Sequence, residues 1–346
     1  MEVRTSVTGL RGRHSARAPG TRTSGVLGVL GSALAIAAVI VGLAVVWDVT
    51  MQGSGAHPSP RSAAGQPGHQ APAGQLTTAS SSAIAKASPR STGSARPAAP
   101  REHSDPFGTS ATSYLSTRTG TALAAVYDVT TSQTWRLGQG GPQAEASVVK
   151  LDVLETLLAE RGGSGLSASD QSLTQQMIED SDNAAATSLW YEVGGGTRIR
   201  SFNALAGLTQ TSPSSCVVCP GFSWPGWGLS TTTPADQLVL LRELIKPSSL
   251  ITNADRDYAL SLMENVNPAQ RWGVSGGIPA QVTVALKNGW LPLEGTDSDW
   301  QINSVGWISG SGRDYLMAVL TTGNPTEQYG IDTIDQLAAM VWQNMR

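Results

Sequence analysis

Histidine and cysteine are scarce in this chain, and their positions exclude several kinds of active site. The four histidines are His14, His57, His69 and His103. The long stretch after His103 therefore cannot hold a Ser-His-Asp or Cys-His site. The two cysteines cannot complete a zinc site by themselves, so we expect no metal. A nucleophile in this stretch needs a lysine, a carboxylate or a thiolate as its activator.

Charge of either sign is also low. Charged residues make up 14% of the chain and the formal net charge is -3. A nucleic-acid partner normally requires a basic patch or stripe. We therefore expect no nucleic-acid partner.

One long apolar run lies near the N-terminus, at residues 25–47 (GVLGVLGSALAIAAVIVGLAVVW). About 20 helical residues are enough to cross the apolar core of a bilayer. Five arginines precede the run within residues 1–24, and this asymmetry predicts a cytoplasmic N-terminus with the rest exported. We predict a retained, single-pass signal anchor. The alternative is a cleaved signal peptide, but the run exceeds the usual length of about 7–15 residues and no small-x-small site follows Trp47.

Residues 48–104 are rich in Ser, Ala, Pro, Gly and Gln and contain few large apolar side chains. Such a segment cannot offset the entropy lost on ordering. We predict a disordered linker, which either spans a cell-wall layer or serves only as a spacer. The remaining residues, 105–346, are enough for one sizeable core.

The predicted elements of this domain are a short helix before Arg118, two strands, a block of helices, three more strands and a closing helix. This order predicts an α/β (α+β) fold: an antiparallel sheet formed by both chain ends, flanked by helices, with an inserted all-helical lobe. The predicted strands cover residues 121–128, 132–137, 281–287, 300–309 and 315–322. The predicted helices cover residues 147–160, 169–179, 183–193 and 234–245, one after Asn253, and 331–345.

Three short motifs occur in order along this domain. They are Ser147-Val148-Val149-Lys150 at the start of an apolar helix, Ser181-Asp182-Asn183 between two helices, and Lys287-Asn288-Gly289 at the end of a strand. Each alone is typical of an ordinary feature: a capped surface helix, a helix N-cap or a turn. All three in this order, in a domain without histidine, indicate a serine nucleophile activated by lysine.

The residue types suit that chemistry. Ser147 and Lys150 share one helix face, and a desolvated lysine near another cation can act as a base. Ser181 can relay a proton between Lys150, the substrate and Lys287. Asn183 can hydrogen-bond a substrate amide, and Lys287 can attract a substrate carboxylate. Gly289 would leave the strand edge open for an extended acyl chain, and the backbone N–H groups of Ser147 and Trp290 would form an oxyanion hole.

The domain resembles the class A β-lactamase and penicillin-binding family. The resemblance rests on the three motifs, on Thr232-Thr233-Pro234 and on the closing helix. It implies a serine acyl-enzyme without a cofactor, whose substrates are β-lactams or D-alanyl cell-wall peptides.

Two departures from the family bear on activity. Asn288 and Trp290 replace a Thr or Ser and a small residue of the third motif. The loop that carries the deacylating Glu in the family has no acidic residue here, since none lies between Glu192 and Asp236. That loop instead holds Cys216 and Cys219, which in an exported protein we expect to form a disulfide.

Three functions remain open from the sequence. The first is a slow serine hydrolase with Ser147 as nucleophile and Lys150 as base. The second is a penicillin- or wall-fragment-binding domain that does not turn over. The third is a catalytically dead tether between membrane and wall. The sequence leaves the oligomeric state and the true substrate open.

Overall fold

The computed structural model describes residues 103–162, 164–293 and 299–345. Its centre is a five-stranded antiparallel sheet in the order β2-β1-β7-β6-β5. The strands are β1 (Thr121–Asp128), β2 (Thr134–Leu137), β5 (Thr283–Pro292), β6 (Trp300–Gly310) and β7 (Arg313–Asn324). β3 (Gln143–Ala144) and β4 (Thr231–Thr232) form a separate small pair. β1 pairs with β7, which confirms a sheet built from both ends of the domain.

Eight α-helices accompany the sheet within the described residues. They are α1 (Gly108–Leu115), α2 (Val149–Arg161), α3 (Ala168–Glu179), α4 (Asn183–Glu192), α5 (Gly195–Ala206), α6 (Pro234–Ile245), α7 (Asn253–Glu264) and α8 (Glu327–Asn344). Helices α2 to α7 follow one another between β3 and β5, broken only by β4 and short 3-10 turns. The predicted inserted helical lobe is therefore confirmed.

Alternating strand residues pack into two separate cores. Val126, Leu286 and Met317 belong to a core shared with α1 and α8. Tyr127, Ala285 and Leu316 belong to a core shared with the helical lobe. Because successive strand side chains point to opposite faces, this pattern places the sheet between two helical layers.

α2 is the central helix of the lobe. Every residue from Val149 to Leu158 is buried, including two carboxylates and one lysine. A helix buried on all sides is fixed by its neighbours rather than by a single apolar stripe. It therefore holds the residues at its N-terminal end in a well-defined position.

Three sequence predictions need correction. No helix was predicted over residues 195–206, where α5 lies between left-handed glycines at both ends, Gly194 and Gly207. The strand predicted to end at Lys287 continues to Pro292. Lys287-Asn288-Gly289 is therefore in the middle of β5, not at a strand end, because pairing with β6 extends through Pro292.

The predicted membrane anchor at 25–47 and the linker at 48–104 fall almost wholly outside the described residues. Within the part of the chain that is described, no helix is long and apolar enough to cross a bilayer. His103, predicted to precede the domain, lies 2.5 Å from the carboxylate of Asp128 in β1.

Candidate active site

Ser147 lies at the entrance of the central helix. It occupies the middle of a 3-10 turn, Ala146–Val148, that runs directly into α2. Ser147 is partly exposed, whereas Ala146 and Val148 on either side are buried. Ala146 has a φ of 50°, a left-handed conformation that is unusual for alanine. The backbone therefore presents one serine side chain at the surface of an otherwise closed segment.

Two buried lysines converge on Ser181. Lys150 Nζ donates to Ser181 Oγ at 3.1 Å and to the Ser181 carbonyl at 2.6 Å. Lys287 Nζ donates to the same hydroxyl at 2.9 Å. Both lysines are fully buried, and Ser181 has a φ of 56°. Strained backbone of this kind persists only where its surroundings fix it, and it is common at functional sites.

Both lysines have a depressed pKa. Burial lowers the pKa of Lys287 to about 7. Burial, followed by repulsion from Lys287, lowers the pKa of Lys150 well below 10.5, and Asp182 opposes this shift. Within the described residues no carboxylate forms an ion pair with either lysine. A neutral amine is therefore accessible near neutral pH, as a base requires.

The second motif joins α3 to α4. Asp182 caps α4 by accepting the Ala185 N–H at 2.7 Å. Asn183 Oδ1 accepts from Lys150 Nζ at 2.8 Å. Lys150 thus makes three hydrogen bonds to this motif. Within the described structure no hydrogen bond joins Lys150 to Ser147 Oγ. Lys150 nevertheless follows Ser147 by only three residues, where the 3-10 turn runs into α2.

The third motif presents its residues on opposite faces of β5. Lys287 and Gly289 face the helical lobe, whereas Asn288 faces the other way. Asn288 Nδ2 donates to the carbonyls of Gln270 at 2.6 Å and Trp272 at 3.1 Å, while its Oδ1 is buried without a hydrogen bond. Both amide hydrogens are thus already used within the protein.

Gly289 lies against the nucleophile segment. A Cβ at Gly289 would be 2.7 Å from the backbone nitrogen of Ser147 and 2.8 Å from that of Val148. The sequence analysis assigned this glycine to an open strand edge; its bare Cα instead allows β5 to approach the Ser147 backbone. Trp290 points to the opposite face, where its ring packs edge-on against Trp272 at 6.1 Å.

Cys216 and Cys219 form the predicted disulfide. The loop they close packs on Gly226, whose N–H donates to the Val217 carbonyl at 2.6 Å. Gly226 begins a second 3-10 turn, Gly226–Leu229, that contains the buried Trp227. The Trp227 ring centroid is 5.0 Å from Lys150 Nζ. The sequence analysis did not identify this residue, because nothing in its local pattern indicates contact with a helix so far away in the chain.

A set of buried carboxyl groups lies behind Ser147, which the sequence analysis also missed. Glu145, Asp152 and Glu155 are fully buried, and burial raises the pKa of each. Glu145 and Asp152 lie within side-chain hydrogen-bonding range of each other, whereas both carboxyl oxygens of Glu155 lack hydrogen-bond partners within the described residues. No group of three or more His, Cys, Asp or Glu in the described ranges is arranged to hold a metal ion. The sequence feature that could have revealed this buried set is the presence of acidic residues inside an otherwise apolar helix.

Comparison with known proteins gives matches both in sequence and in fold. The chain is 30% identical over 235 residues to the Mycobacterium tuberculosis (strain H37Rv) protein named "Putative lipoprotein LppW", covering 65% of this chain and 71% of that protein. The fold matches the TLA-1 extended-spectrum β-lactamase with a TM-score of 0.60, at 16% identity over 70% of this chain and 99% of that chain. A class A β-lactamase from Mycobacterium abscessus matches with a TM-score of 0.55, at 21% identity over 68% of this chain and 97% of that chain.

The family model described as "Beta-lactamase enzyme family" matches residues 160–345. This range covers more than half of the chain and contains the second and third motifs, but it begins after Ser147 and Lys150. The structural matches, all below 25% identity, establish the fold. By this sequence match, the chain belongs to the Beta-lactamase enzyme family.

Proposed function

We propose that this protein is a serine acyl-enzyme that reacts with β-lactams or D-alanyl cell-wall peptides through Ser147. The observation that carries the proposal is the pair of buried lysines joined through Ser181, with no ion-paired carboxylate among the described residues, and with the partly exposed Ser147 three residues before Lys150. A neutral lysine is a competent base where histidine is absent.

In the proposed acylation, neutral Lys150 accepts the proton of Ser147 Oγ as that oxygen attacks the substrate carbonyl carbon. The scissile C–N bond breaks, and the leaving nitrogen receives a proton through Ser181. A neutral amine has only two N–H bonds, so Lys150 must release one of its three acceptors to present its lone pair. We propose that Asn183 contacts the substrate amide, that Lys287 contacts the substrate carboxylate, and that the N–H groups of Ser147 and Trp290 form the oxyanion hole beside Gly289. The amide of Asn288 already donates to the Gln270 and Trp272 carbonyls, so it is not free to donate to that carboxylate.

Deacylation is proposed to be slow. General-base help contributes roughly 10²–10⁴-fold to such a step. The resembled enzymes obtain it from a loop glutamate, and the corresponding loop here carries the disulfide and Trp227 instead. This observation favours the second candidate, a domain that is acylated or ligated without turnover.

The test is acylation of the full-length protein by a labelled penicillin, followed by intact mass and peptide mapping. We expect one adduct, on Ser147, which Ser147→Ala removes without changing the thermal melt. An adduct that persists in this variant would falsify the assignment of the nucleophile. Absence of any adduct in the native protein would instead favour the catalytically dead tether.

Turnover is measured separately with a chromogenic cephalosporin. A burst of about one equivalent followed by a slow phase is expected for a stable acyl-enzyme. Steady turnover at the ordinary enzymatic rates of roughly 1–10³ per second would show that another group supplies the base.

We also propose that residues 25–47 anchor the protein in the cell membrane by a single pass, with the domain outside the cytoplasm. The relative's name describes it as a lipoprotein, which supports membrane attachment. In this chain both cysteines are joined in the disulfide and leave no thiol for a lipid. An apolar run is therefore the better candidate for the anchor.

A further inference from the structure

Trp227 lies against Lys150, whose three hydrogen bonds go to Ser181 and Asn183. Its ring lies 5.0 Å from Lys150 Nζ, and its indole N–H donates to Thr187 Oγ1 at 3.0 Å. Lys150 is fully buried and Trp227 is 3% exposed, whereas Thr187 is partly exposed. The ring therefore fills the space between the buried amine and a residue at the surface of α4.

The backbone of Trp227 is held on both sides. Ser230 Oγ donates to its carbonyl at 2.7 Å and in turn accepts the Ser214 N–H at 2.9 Å. On the other side, a Cβ at Gly226 would lie 2.1 Å from Cys219 Sγ, so the disulfide packs directly against this residue. The ring thus has little freedom to move away from Lys150.

Hydrolysis of an acyl-serine requires a water molecule next to a base. The water oxygen bonds to the acyl carbon, the bond from that carbon to Ser147 Oγ breaks, and the water's proton ends on Oγ. Lys150 is the base proposed for this step, since no acidic residue lies between Glu192 and Asp236. A bulky apolar ring against its amine removes the room for that water.

We propose that Trp227 is a positioning residue that excludes water from Lys150 and so prolongs the life of the acyl-enzyme. This role rests on the proposed acylation of Ser147. It explains how a protein with an available lysine base could still retain an acyl group.

The test compares Trp227→Ala, Trp227→Leu and Trp227→Phe in the full-length protein. Each is acylated with a fluorescent penicillin, excess reagent is removed, and loss of label is followed in time. We expect the acyl lifetime to fall by roughly tenfold or more in Trp227→Ala, since water and base then meet. Trp227→Phe, which keeps a ring, should stay near the native lifetime. Trp227→Leu is the fallback if the alanine variant does not fold.

Trp190→Leu is the matched control. Trp190 is also buried, lies on α4 in the same lobe and, among the described residues, makes no hydrogen bond or cation–π contact with Lys150. It should lower stability without shortening the acyl lifetime. An unchanged lifetime in a folded Trp227→Ala or Trp227→Leu variant, or an equal shortening in Trp190→Leu, would overturn the proposal.

A second readout does not depend on acylation. Trace labelling with acetic anhydride, read by peptide mass spectrometry, reports the accessibility of Lys150. We expect Lys150 to remain unlabelled in the native protein and in Trp227→Phe and to become labelled in Trp227→Ala. If penicillin never acylates the native protein, the proposed function fails, yet this labelling still decides whether Trp227 shields Lys150. Equal labelling of Lys150 in all variants would contradict the shielding.

Discussion

Single residues at the site are constrained by close approach as much as by chemistry. Gly289 and Asn288 are neighbours on β5 but face different layers. Gly289 allows the strand to touch the Ser147 backbone, and Asn288 ties the strand to the Gln270–Trp272 segment. Each can therefore be tested by a change that alters one contact.

Gly289→Ala should damage the site through backbone overlap. The added Cβ would lie within 3.0 Å of Ser147 N, Val148 N and Glu145 O, which are backbone atoms without side-chain freedom. Overpacking of this kind costs about 1–3 kcal/mol. We expect a lower free energy of unfolding and loss of most of the penicillin adduct, measured by denaturant titration and gel fluorescence.

Gly141→Ala is the control for this substitution, because no heavy atom lies within 4 Å of its added Cβ and its φ is not positive. It should leave both stability and acylation unchanged. Native-like acylation in Gly289→Ala would show that the strand does not need this close approach.

Asn288→Thr should separate stability from reactivity. Threonine cannot replace both hydrogen bonds to the Gln270 and Trp272 carbonyls, and an unsatisfied buried group costs about 1–3 kcal/mol. The threonine hydroxyl would face away from Ser147, as the Asn288 amide does, so we expect acylation by penicillin to stay near the native rate despite the lower stability. Asn288→Ala loses the same bonds without offering a hydroxyl and should be acylated at the same rate. Faster acylation of Asn288→Thr than of Asn288→Ala would contradict the prediction.

At the scale of elements, α2 positions a residue of the site and also contains buried carboxyl groups, whose ionisation is unfavourable. It holds Lys150 and the buried Asp152 in its first turn and buries Glu155 in its middle. Burial, followed by the charges of Asp152 and Glu243, raises the pKa of Glu155 well above 4.5. Both oxygens of Glu155 lack hydrogen-bond partners, so its ionised form is not compensated.

This shift predicts a pH-dependent effect of Glu155→Gln. The folded state keeps a proton that the unfolded chain releases above its ordinary pKa, so the native protein loses stability as the pH rises from that value towards the raised one. Glutamine cannot ionise and removes this loss. We expect the variant to gain about 1 kcal/mol or more over the native protein between about pH 5 and pH 8, since each pKa unit is worth about 1.4 kcal/mol. Denaturant unfolding at both pH values measures it.

Glu264→Gln, at an exposed position on α7, is the matched control and should change stability equally at both pH values. A gain for Glu155→Gln that does not grow with pH would mean that Glu155 is not protonated in the folded protein.

At the scale of the whole molecule, the proposed membrane anchor predicts on which side of the membrane the domain lies. The arginines before residue 25 predict export of everything after the apolar run. Protease added to intact spheroplasts should therefore remove the domain and leave a membrane-protected N-terminal fragment. Lysed spheroplasts serve as the control for protease access, and a C-terminus protected until lysis would reverse the orientation.

Much of the fold and the order of the site residues followed from local sequence. The helical and strand segments and the three motifs depend on neighbouring residues, so they could be recognised before any tertiary contact was known. The order of the elements likewise predicted the shared sheet of both chain ends. Because no histidine lies after residue 103, the sequence indicated a lysine as the base.

Only the tertiary structure decided what surrounds those residues. The full length of β5 depends on pairing with β6, and α5, between glycines, depends on packing against α2. The contact of Trp227 with Lys150, the approach of Gly289 to Ser147 and the burial of Glu155 all join residues distant in the chain or depend on neighbouring layers. Local pattern specifies secondary structure and side-chain direction, but desolvation, and with it the pKa of each buried group, is set by whichever segments happen to pack around it.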